Sequence, residues 1–186
     1  MTLPMSTSGE QELWSSVNDW LTTNVPAAGT PAFTYFFDEA LDPAKFPQVN
    51  VSQFNSFEPG DTALGGVIFT NNPTGRIQGK VNRAILAIDI RDDGSVHNNA
   101  LQTVRQLRDA FEYALINAGV FSEADNAVLF PPIVVKDSGG STTNTFARVM
   151  TESDNAIIKN FYSPKPPETQ IVRYQLLFKM EWYELL

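Results

Sequence analysis

The run Ile171-Val172-Arg173-Tyr174-Gln175-Leu176-Leu177-Phe178-Lys179-Met180-Glu181-Trp182-Tyr183 alternates between apolar and polar residues along almost its whole length. Val172, Tyr174, Leu176, Phe178, Met180 and Trp182 share one phase. Arg173, Gln175, Lys179 and Glu181 share the other, with Leu177 and Tyr183 as apolar exceptions. A period of two places successive side chains on opposite faces of a strand. The run therefore predicts one long strand with a buried face and a wetter face. Thirteen residues at about 3.3 Å each reach roughly 43 Å, whereas strands usually run about 3–10 residues. Such a strand outgrows the core of a small domain, which points to a cover from outside the monomer.

A second long strand is predicted over residues 76–91. Ile77, Gly79 and Val81 hold one phase, and Ala84, Leu86, Ile88 and Ile90 hold the other. A bulge near Asn82-Arg83 accounts for the switch. Asp92-Asp93-Gly94-Ser95 then breaks the strand and caps the next element. From about 96 to 118 the residues Val96, Ala100, Val104, Leu107, Phe111, Leu115 and Ala118 form one apolar helical stripe, with Gly119 placed as a C-terminal cap. A long one-sided helix beside long strands predicts a helix laid across a sheet.

The flanking segments are shorter. Ser8/Gln11 and Thr7/Glu10 each fit a capping box, ahead of Leu13, Val17, Trp20 and Leu21 at helical spacing; Pro26 and Gly29 end that element. Strands are predicted around 33–37, 49–57 and 66–70 among closely spaced turn signals. Ile133–Val135 and Phe146–Met150 read as a strand pair joined by the flexible Asp137-Ser138-Gly139-Gly140-Ser141. Ile157-Ile158 opens another strand. Ser163-Pro164-Lys165-Pro166-Pro167 is a stiff, extended lead into the final one. The fold class is thus α/β, a mixed or antiparallel sheet with amphipathic helices packed on it and long hairpin or loop extensions. One domain over 1–186 is expected at this length.

Composition narrows function. The chain is 42% apolar with 13 Phe, enough for a core at this size. A formal charge of −8, with the 13 basic residues scattered, disfavours broad nucleic-acid or anionic-membrane binding. The absence of cysteine excludes disulfides, thiol nucleophiles and Cys-ligated metals. No signal-peptide pattern and no membrane-length apolar run is expected.

The motifs that could carry chemistry each fail. His97 is the one histidine, so a triad would have to use it; it reads as an exposed first-turn helix residue. Asp89–Gly94 partly matches a calcium loop but has Arg91 at position three and Ala100 at position twelve. Gly75–Val81 has the wrong spacing for a phosphate loop and lacks its Ser/Thr. Asp92-Asp93 and Glu181/Glu184 read as solvated charge. No catalytic, cofactor-binding or metal residues are expected. Phe54, Phe57, Phe130, Phe161 and Tyr162 are together more large aromatics than a simple two-layer domain needs. With Ser138, Gly139 and Gly140 they are the expected interface residues.

The order of elements resembles the tail terminator proteins of long-tailed bacteriophages. The likeness is carried by Val81-Asn82-Arg83-Ala84-Ile85-Leu86-Ala87-Ile88-Asp89-Ile90, by the helix after it, and by Tyr174 through Trp182. It implies a hexameric ring at the head-proximal end of the tail, one that ends tube polymerisation and joins tail to head without catalysis. The implied partners are further copies of the chain, the tail tube protein and a head-completion (stopper) or connector protein. DNA would pass through the lumen without specific binding, and no membrane is involved. The implied place is the neck of the virion, after assembly in the host cytoplasm. Another neck component, such as a connector or tail-completion protein, is the alternative, and a small metal-dependent hydrolase the third.

Overall fold

The computed structural model describes residues 9–25, 30–37, 42, 45–55, 67–68, 77–136, 142–149, 157–162 and 171–185. At 9–11, 53–55, 67–68, 77–84, 142–149, 157–162 and 182–185 it describes the backbone. The protein is α/β. Helices α1 (Gly9–Asn24) and α2 (Ala100–Ile116) accompany strands β1 (Thr34–Phe37), β2 (Gln48–Asn55), β3 (Val67–Ile68), β4 (Ile77–Asp93), β5 (Phe121–Ser122), β6 (Ala127–Val128), β7 (Ile133–Lys136), β8 (Thr142–Val149), β9 (Ile157–Tyr162) and β10 (Ile171–Leu185). Eight of these strands form one mixed sheet in the order β1-β2-β4-β10-β8-β7, with β3 paired to β4 and β9 to β10; β5 and β6 pair only with each other. β1 and β2 are parallel, and the other pairs are antiparallel.

The two long strands lie side by side at the centre. Their register runs unbroken from Gly79 opposite Leu185 to Asp93 opposite Ile171. The expected bulge near Asn82-Arg83 is therefore absent from this pairing. Both strands change phase at the same level: Leu86 faces Phe178 across the pair, whereas Val81 meets Tyr183 and Gly79 meets Leu185. Because the partner switches too, no extra residue is needed. The irregularity falls instead in β2, between Gln53 and Asn55.

Leu86, Ile88, Ile90, Tyr174, Leu176, Phe178 and Met180 form the apolar face of the pair, joined by Val49 and Val51 of β2. α2 lies on this face against both β4 and β10. It buries Val104, Leu107, Phe111, Ala114 and Leu115, and Phe33 meets the Phe111 ring edge-on at 5.7 Å. The second face departs from a simple wet surface. Leu177 is buried and Glu181 is only 4% exposed, on a strand flanked by β4 on one side and by β8 and β9 on the other.

α2 begins later than its stripe predicts. Asp93 O accepts the Val96 and His97 N–H groups at 3.1 and 2.8 Å, and Asp93 Oδ1 accepts the Ser95 N–H at 2.8 Å. These bonds close a turn, so Val96 is 65% exposed rather than part of the buried stripe. Hydrogen bonds from the Ser95 hydroxyl and then its N–H hold the Asp93 carboxyl below the usual range. Their support of the turn is therefore present above the ordinary carboxylate pKa and fades as pH falls through the lowered one. At the other end Gly119 has φ +74°, and a Cβ there would lie 3.2 Å from Pro132 Cβ, so glycine alone suits the cap.

α1 packs on β7. Ser16 Oγ accepts the Lys136 N–H at 2.9 Å and donates to Glu12 O, while Trp20 Nε1–H donates to Pro131 O at 2.8 Å. Leu13, Val17, Trp20 and Leu21 are buried, as their spacing predicts. Three consequences can be measured by urea unfolding. Leu107→Ala should cost about 2–5 kcal/mol, and Leu107→Asp, which buries an unpaired charge, should abolish the folded state. A wild-type midpoint for Leu107→Asp would refute the placement of α2. Ser16→Ala should cost about 1–2 kcal/mol by orphaning the Lys136 N–H.

Candidate functional site

Three groupings of side chains stand out. The first surrounds the end of α2. Gly119 N–H donates to Phe130 O at 2.9 Å and Leu129 N–H to Val120 O at 3.1 Å, which lays the chain after β6 alongside the helix end. The intervening β5–β6 hairpin turns through Asn126 at φ 49°, a conformation asparagine tolerates. Ser122 Oγ accepts the Asp125 N–H and donates to its carboxylate, bracing the turn. The helix end and the returning chain enclose an open cleft of about 960 Å³ lined by Asp109, Ala110, Glu112, Tyr113, Ile116, Asn117, Leu129 and Phe130. Phe130 is half-buried, its ring 6.2 Å from Trp20 and 5.8 Å from Tyr113. Tyr113 on the cleft wall is exposed, and so are Val120, Phe121 and Val128 in and next to the β5–β6 hairpin, Phe121 at 55%.

Of the expected interface residues, Phe130 has a described side chain: it lines the cleft and packs partly buried against the core. The backbone of Phe54 lies in β2 and that of Phe161 and Tyr162 in β9, where they pair with Tyr174 and Arg173. The side chains of these three lie outside the described residues. So do Phe57, Ser138, Gly139 and Gly140, and the proline-rich 163–167. Tyr113, Val120, Phe121 and Val128 were not singled out by sequence. Tyr113 carried a usable signal, a large aromatic on the polar side of an amphipathic helix.

The second grouping corrects two expectations. His97 precedes α2 instead of sitting in its first turn. Its ring is about a third exposed, and Nδ1 lies 2.7 Å from Asp92 Oδ1. Asp92 is not solvated charge but fully buried. Its Oδ1 also accepts the Asp93 N–H at 2.9 Å, and its Oδ2 has no hydrogen-bond partner among the described residues. The even phase of β4 carries Asp92 to the helix-bearing face, where the turn into α2 closes over it. The pair ties the end of β4 to the entry of α2.

The third grouping lies on the opposite face. Arg91 and Arg173 are direct cross-strand partners, a juxtaposition of like charges that is unfavourable alone. Asp89 sits between them: Arg91 Nη2 donates to it at 2.6 Å and Arg173 Nε at 2.8 Å. The carboxylate that the calcium-loop pattern needs is committed to two guanidinium groups. Among the described residues there is no group of three or more His, Asp or Glu side chains placed to share a metal ion, and no helix long and apolar enough to cross a membrane.

No family model and no curated protein matches the sequence. Several solved structures match; one of them is similar at 12% identity with a TM-score of 0.44, the match covering 95% of each chain.

His97→Ala should lower stability by about 1–3 kcal/mol, because it removes a partner from a buried carboxylate. Glu123→Gln, at the exposed β5–β6 turn, should stay within about 0.5 kcal/mol of wild type. Urea titration of both variants distinguishes the tie from the surface.

Proposed function

We propose that this chain is a ring-forming subunit of a bacteriophage neck, of the tail-terminator kind. In this reading it closes the head-proximal end of the tail tube and joins tail to head. The observation that carries the reading is the length of the central pair. Fifteen paired residues, Gly79–Asp93 with Ile171–Leu185, extend roughly 50 Å at about 3.3 Å each. The 17 residues of α2 span about 25 Å at 1.5 Å each. The pair outreaches the helix laid on it, which suits a subunit whose strands are completed by neighbours in a closed ring. The resemblance in element order gives six copies.

In this reading the contacts between copies involve the long strands; the segments at 54–75 and 137–145, also expected there, lie largely outside the described residues. The function is structural and uses no cofactor or metal. A subunit of charge −8 suits a lumen through which DNA slides without adhering.

The test is genetic and visual. A phage carrying this gene with an early stop codon is grown in a non-suppressing host, and the lysate is viewed by electron microscopy. Filled heads beside unattached or overlong tails are expected. Empty heads with a packaging defect would assign the chain to a head connector, and normal particles at normal titre would end the neck reading.

A further inference from the structure

We draw no further inference here: the strongest candidate, the cavity of about 350 Å³ between the end of α1 and β1, has an apolar wall of Leu21, Pro31, Phe33 and Tyr35, and the Tyr35 hydroxyl, which has no hydrogen-bond partner among the described residues, is closed off from solvent, so nothing in the structure shows what fills it.

Discussion

Everything in this structure hangs on the register between β4 and β10. Once Leu86 is set opposite Phe178 and Ile90 opposite Tyr174, one face of both strands is committed to apolar residues and receives α2. A slip of one residue would send Leu176, Phe178 and Met180 to the face that holds Asp89, Arg91 and Arg173. The outer strands are laid on this pair, β2 and β3 along β4, and β9 and β8 along β10. β7 packs beside β8, and α1 on β7.

The centre was legible because period-two and period-3.6 patterns survive over many residues. Val172 to Met180, Leu86 to Ile90, and the stripe from Val104 to Leu115 all keep their phase. The misses share a cause: short-range hydrogen bonding overrode the pattern, or contacts lay far off in the chain. Val96 fits the helical stripe, but Asp93 captures the local N–H groups and delays the helix. The switch of phase in β4 looked like a bulge because one strand was considered at a time, whereas β10 makes the same switch. β5 and β6, two residues each, are too short for any period to register.

The surface was harder to foresee than the core. Phe130 was visible as an aromatic ahead of Pro131-Pro132. Phe121 and Val128 become a patch only when the hairpin sets them opposite each other. Asp92 could not be recognised as buried from a run of Asp-Asp-Gly-Ser, which resembles any solvent turn. Three residues apart on one strand, Asp89 and Asp92 meet different fates. One is shared between two guanidinium groups; the other is enclosed on the helix face with His97 as its partner. Strand parity decides which face each reaches.

The central pair also has a temporal side. β4 and α2 are joined by a tight turn and can associate as soon as both have left the ribosome. β10 is the last described element to be synthesised, with α2 and the five short strands from β5 to β9 intervening. Until it arrives, the inner flank of β4 has no mate, and its apolar face is covered on one side only. Such non-local pairing makes folding slow and leaves a strand edge open to wrong partners in the interval. The strand that completes the core is thus also the one whose arrival closes the open edge of β4.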